Sequence, residues 1–224
     1  MNSPQPHIAN CDVAAFNNMP VELKKSLKLE LFPEPFIGNP DAKIYLLNGN
    51  PGFHEKDIEF LKSTKYLEAL QTTLELKAKS FLYLDSDTCT FNNIMHPGYE
   101  WWTRHLKQLT ISKKRPDVFN IEYFPYHSEN MNDLKQHWIK KEGKLDSDAF
   151  TNELINKAMT ADKIIVVMRL RDYWYKRIPN LETYSNLIVL NNPQSVYITE
   201  NNVKVFFEDV KKSNDNWNKI KNNV

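Results

Sequence analysis

Four short stretches hold most of the side chains that could do chemistry: "NGNPGFH" (48–54), "FPYHSEN" (124–130), "RLRDYW" (169–174) and "NNPQSVYIT" (191–199). In the first, Pro51 fixes φ between Gly49 and Gly52, two of only five glycines, which permit positive φ or close backbone approach. Asn50 would then be held rigidly with its amide projecting from the turn. In the fourth, Asn192 precedes Pro193 and is biased to extended backbone, with Gln194 and Ser195 following as hydrogen-bonding side chains. Neutral amides so placed can hold a water molecule or donate to a developing negative charge. An ordinary strand-to-loop turn uses the same residues, so the signal is the pair of Asn-Pro turns rather than either one.

Other candidates have plainer readings beside the functional one. His127 and His96 could bind phosphate or move a proton, but a lone loop histidine is more often simply exposed. Arg169 and Arg171 could hold a phosphate or pair with Asp172 and Glu182. The charge run "SKKRP" (112–116) is a solvated face or a backbone contact to nucleic acid. Cys11 and Cys89 stand alone, without CxxC or Cys/His spacing, so neither a metal centre nor a cofactor is expected.

These stretches need elements to carry them, and each follows an apolar run: "KIYLLN" (43–48), "VFNIEYF" (118–124), "KIIVVM" (163–168) and "LIVLN" (187–191). Between the runs lie segments with helical periodicity, including Tyr99, Trp102, Leu106 and Leu109; Phe150, Leu154 and Ala158; and Val203, Phe206, Phe207 and Val210. Four buried strands alternating with helices predict an α/β fold, a three-layer αβα sandwich with a four-stranded, mainly parallel sheet in the order 2-1-3-4. Ligands of such sheets bind beyond the carboxyl ends of the strands, where all four loops would converge. Residues 1–35 read as an arm with one short helix (Pro20 leading, then Leu23, Leu27 and Leu31). Residues 36–212 form the α/β domain, with an insertion at about 54–98 whose "SFLYLDSD" suits a hairpin arm or a lid. Residues 213–224 are a polar tail that frays, with Trp217 as its one anchor.

Composition narrows the functions. With 224 residues, 41% hydrophobic and 25% charged, the chain can bury a full core as one globular domain. A net charge of +1 advertises neither nucleic acid nor a basic partner. No apolar run approaches a membrane span and no basic-apolar leader opens the sequence, so a reduced, cytoplasmic chain is the simplest reading.

"LLNGNPGF", followed some 140 residues later by "LNNPQSVYIT", resembles the two signature motifs of the uracil-DNA glycosylase superfamily, most closely its mismatch-specific (G:T/U) branch. "FNIEYFP" resembles that superfamily's second strand. Asn48 stands where the first motif usually has glycine, and Gln194 where the second usually has serine. The resemblance implies hydrolysis of the N-glycosidic bond of a damaged or mismatched base in DNA. In that reading Asn50 and Asn192 are catalytic, Asn50 placing a water and Asn192 facing the leaving base. Gly49, Pro51 and Gly52 shape the pocket, Phe53 stacks on the base, Asn120 recognises its Watson–Crick edge, and Gln194 and Ser195 line the pocket or bind a flanking phosphate. Tyr197, beside Val196, would fill the stack that the extruded base vacates. Neutral amides in place of Asp and His imply a slow enzyme that depends on positioning.

Read without the resemblance, several of these residues have core roles: Phe53 as packing, and Asn120 as a buried amide bonded to backbone. Two further functions stay open. One is a non-catalytic domain binding a small nucleobase-like or nucleotide ligand, which the near-zero charge favours. The other is an interaction module using the insertion, "SFLYL" and the Trp101/Trp102 pair. A basic groove beside Asn50 and Asn192 would point to nucleic acid, and a closed neutral pocket to a small ligand.

Overall fold

The structure, a computed structural model, describes residues 6–110, 114–203 and 210–224. Among the described residues seven strands form: β1 (Phe36–Gly38), β2 (Ile44–Leu47), β3 (Thr90–Phe91), β4 (Ile94–Met95), β5 (Val118–Ile121), β6 (Ile164–Val167) and β7 (Leu187–Val189). Five of them make one sheet in the order β1-β5-β2-β6-β7. β2 runs parallel to both β5 and β6, and β6 parallel to β7. The four apolar runs are therefore the parallel strands. The expected four-stranded sheet gains a fifth, β1, which adds antiparallel to β5 at the edge. It is only three residues long, too short to show a strand period.

Every residue of β2, β5 and β6 is buried because helices cover both faces of the sheet. Alternation along each strand sorts the side chains. Tyr45, Leu47, Phe119, Ile121, Ile165 and Val167 pack on one side with Phe16, Leu23, Leu154, Ile155 and Trp174. Ile44, Leu46, Val118, Ile164, Val166 and Ile188 pack on the other with Phe60, Leu70, Trp102, Trp217 and Ile220. The first layer uses helices Val21–Ser26, Met131–His137, Asp148–Thr160 and Arg171–Arg177, and the second uses Thr64–Leu74, Pro97–His105 and Val210–Lys221.

Local chemistry explains two helix starts. Ser63 Oγ accepts from Tyr66 N at 3.3 Å to cap Thr64–Leu74. His96 Nδ1 accepts from Gly98 N at 3.0 Å, and Pro97 supplies the preset φ of the first turn of Pro97–His105. In the insertion, the hairpin is β3-β4, turned by Asn92 and Asn93 at φ 49° and 64°. "SFLYLDSD" is not that hairpin: Leu82–Leu84 is a buried 3-10 turn.

Three sequence expectations change. Phe150 is 47% exposed, and Thr151 and Ile155 join Leu154 and Ala158 on the buried face instead. The C-terminal segment is a helix with Trp217 and Ile220 buried, whereas Phe206 and Phe207 lie outside the described residues. The N-terminal arm is built into the first layer. Asp12, fully buried, accepts from Tyr126 Oη at 2.8 Å, Ser147 N at 2.9 Å and Ser147 Oγ at 2.8 Å. Among the described residues no helix is long and apolar enough to cross a membrane.

Candidate functional site

Beyond the carboxyl ends of β2, β5 and β6 lies a cavity of about 380 Å³. The loop after β2 is zipped to the loop after β5: Phe124 N donates to Gly49 O at 2.9 Å, and Ser128 N to Pro51 O at 3.3 Å. Asn50 is fixed in this seam. Its Nδ2 donates to Pro51 O and to Ser128 Oγ, both at 2.8 Å, which engages both amide hydrogens and leaves Oδ1 as the atom able to serve a ligand or water. The glycines do not act through positive φ, since Gly38 is the one described glycine in that region. Gly49 is buried where a Cβ would fall 2.6 Å from the Met131 methyl, whereas nothing stands within 4 Å of one at Gly52. Phe53 is half-buried at the rim, with Lys28 Nζ 4.7 Å from its ring centre. Trp101, also in the cavity wall, is backed by His105 at 3.8 Å, and His105 in turn by Tyr197 at 4.3 Å.

The cavity holds ionisable groups that the reading of neutral amides did not anticipate. Glu34, from the loop before β1, receives Tyr83 Oη at 2.6 Å and Tyr66 Oη at 3.3 Å. His127 Nε2 lies 3.5 Å from the same carboxylate oxygen, and His127 Nδ1 is 2.7 Å from Gly52 O. Burial alone would push the Glu34 carboxyl up and the His127 imidazolium down. Their mutual attraction outweighs burial, so Glu34 is held below the usual carboxylate range and His127 above the usual imidazole one. They form a buried ion pair. Both histidines expected to be exposed are buried, His96 at 3% and His127 at 6% exposure, because each is hydrogen-bonded to backbone at the cavity wall.

A second group adjoins the first, through His96 packed on Tyr66 and Tyr83. Burial pushes Asp57 up to about 6, against the His54 amide that donates to its Oδ2 at 2.7 Å. Its Oδ1 is 3.8 Å from His96 Nε2. Burial also pulls His96 down to about 4, so this ring is neutral, with Nδ1 accepting at the helix cap and the proton on Nε2. At the floor, Glu122 just past β5 is pushed by burial up to about 7. Its Oε1 accepts from Asn120 Nδ2 at 2.8 Å and from Asn48 Nδ2 at 3.4 Å. Asn120 is fully buried behind Glu122 and does not line the cavity. The nearer polar surface is Asn48 and Glu122.

The second Asn-Pro turn is elsewhere. Asn192 is exposed, and its Oδ1 accepts from Gln194 N at 3.0 Å and Ser195 N at 3.2 Å, closing its own turn. Asn192, exposed Gln194 and half-buried Ser195 do not line the cavity, and Tyr197 reaches it only through the His105–Trp101 stack. Arg169 lines the cavity, whereas Arg171 is exposed and bonds Asp172 at 2.8 Å. Of the basic run, Lys113 lies outside the described residues. Lys114 and Arg115 precede β5, at the opposite end of the sheet, where Arg115 pairs with Asp85 at 3.0 Å. The cavity wall holds more carboxyls than cations, Glu34, Asp57, Glu122 and Glu129 against Arg169 and His127, with Glu34 paired to His127 and Glu129 to Lys28 at 2.5 Å.

Glu122 was the legible member of the missed set, a carboxyl inside the apolar run "VFNIEYF". Glu34, Asp57 and His96 come from segments that no strand end announces. Among the described residues no group of His, Cys, Asp and Glu is arranged to hold a metal ion. Compared with family models, curated proteins and solved structures, the chain matches none.

Proposed function

We propose that this cavity hydrolyses the N-glycosidic bond of a nucleobase-bearing substrate, in the manner of a uracil-DNA glycosylase-like enzyme. The observation that carries the reading is that one cavity of about 380 Å³ at the strand ends combines the immobilised Asn50 amide with the raised carboxyls of Asp57 and Glu122. Cleavage needs a positioned water, a base to accept its proton, and a group to stabilise the departing base. Asn50 Oδ1 is the acceptor that orients the water. Asp57, with its pKa of about 6, is the general base near neutral pH. Phe53 and Trp101 supply the flat walls that hold the base, and Arg169 with the His127 imidazolium favours the negative charge that it takes with it. The four parallel strands in the order β5-β2-β6-β7 agree with the fold the resemblance implies.

The acidic wall favours a second reading, in which the ligand is a free nucleobase or nucleoside rather than a base extruded from DNA. Carboxylates repel phosphate, and the basic run stands at the far end of the sheet. One experiment addresses both. Wild type and Asn50→Ala are incubated with oligonucleotides carrying uracil, hypoxanthine or thymine opposite guanine, with guanine-containing single strands, and with the corresponding nucleosides, and the released base is measured. The expected outcome is base release that falls by about 10²-fold or more in Asn50→Ala, the scale of deleting a group that positions the reacting atoms. Release from nucleosides alone selects the small-ligand reading. No release from any substrate overturns hydrolysis.

A further inference from the structure

The floor of the cavity has its own hydrogen-bonding pattern, set by what its polar atoms do not bond. Asn48 and Glu122 are each 5% exposed, yet Asn48 Oδ1 and Glu122 Oε2 have no partner among the described residues. Both are acceptors. They stand side by side, because Asn48 Nδ2 reaches the other oxygen of Glu122 at 3.4 Å. Arg169, which also lines the cavity, has its Nε buried and unpartnered, and this atom is a donor. His96 Nε2 lacks a partner too but is turned toward Asp57. A buried polar atom left unmatched costs about 1–3 kcal/mol, so a ligand that matches all of them gains most.

Resting on the nucleobase reading above, we propose that this floor reads a guanine-type edge, in which a ring N–H and an exocyclic amino group donate to Glu122 and Asn48 while the neighbouring carbonyl accepts from Arg169. The other bases fit less well. Adenine and cytosine pair one donor with one acceptor, uracil sets a single N–H between two carbonyls, and hypoxanthine lacks the amino group. Each leaves one of the two floor acceptors unmatched. Asn120 does not take the reading role expected of it: its Nδ2 is committed to Glu122 at 2.8 Å, and its Oδ1, also unpartnered, belongs to a fully buried residue that does not line the cavity. It is a positioning residue that holds Oε1 of Glu122 and leaves Oε2 as the unpartnered oxygen.

The test is equilibrium binding, independent of turnover. Wild-type protein is titrated calorimetrically at about pH 8 with guanosine, inosine, 1-methylguanosine, adenosine and uridine. Guanosine should bind about 10–100-fold more tightly than inosine or 1-methylguanosine, each of which lacks one donor to the floor. In Glu122→Gln, with an amide nitrogen facing the ring N–H, guanosine affinity should fall by a similar factor. Inosine or uridine binding as tightly as guanosine overturns the proposal, as does failure of every nucleoside to bind. Selective guanosine binding without base release upholds it while removing hydrolysis. Base release with no guanosine preference does the reverse.

Discussion

Replacing Glu122 by Gln should stabilise the protein, and by an amount that depends on pH. Gln has the same shape and keeps an acceptor for Asn120 and Asn48, so the chief change is removal of a buried ionisable group. Burial raises the carboxyl from its ordinary 4.5 to about 7. At about 1.4 kcal/mol per pKa unit, ionising it in the folded state costs about 3 kcal/mol more than in the unfolded chain. The sign follows from proton binding. Between 4.5 and about 7 the folded protein binds the proton that the unfolded chain has released, so stability from this group falls as pH rises through that window and is level above it. Urea denaturation of wild type and variant, followed by tryptophan fluorescence at about pH 5 and about pH 8.5, isolates the effect. Asp57 titrates nearby but is common to both proteins and cancels in the difference. The variant's advantage should grow by about 2–3 kcal/mol between the two pH values, or about 5–10 °C in Tm for a chain of this size. A stability difference that does not move with pH would show that Glu122 is not a buried, high-pKa carboxyl and would refute the reasoning.

His127→Ala leaves the Glu34 carboxylate buried without its counter-ion and should cost about 3–5 kcal/mol in urea denaturation. Because the His127 value is raised, the pair's contribution is present at lower pH and lost as pH climbs past it, so the gap to wild type should narrow in alkali; a constant gap contradicts the ion pair. Asp12→Ala leaves Tyr126 Oη, Ser147 N and Ser147 Oγ short of an acceptor and should cost about 1–3 kcal/mol. An unchanged unfolding midpoint would mean that the arm is not part of the cooperative unit.

What could be read in advance follows the physics of each signal. The parallel strands were legible because each presents consecutive apolar residues that only a sheet covered on both sides can bury. Asn50 was legible because its prolyl turn is a local device. Glu34, Asp57 and His96 were not, since their burial is decided by Tyr66, Tyr83 and Phe60 packing from the insertion, and no local pattern encodes that contact. Asn120 and Glu122 sit two apart on one strand end, and either could have faced the cavity. A strand's period assigns them to the same side but not to front and back. The C-terminal helix was missed because two apolar side chains three residues apart, Trp217 and Ile220, suffice to dock an otherwise polar segment.

The anchoring of Asp12 bears on how the chain is born. Its partners Tyr126 and Ser147 lie 114 and 135 residues downstream. At a synthesis rate of about 5–20 residues per second, Asp12 waits roughly 7–27 s before the second of those partners exists. Closing so long a loop adds an entropic cost that grows only slowly with length, but it makes the contact non-local and therefore late. Glu34 is under the same constraint, since His127 is also made long after it. The nascent chain therefore exposes Phe16, Leu23 and a carboxylate without its counter-ion until those partners are made, which makes the segment around them one on which a chaperone would act.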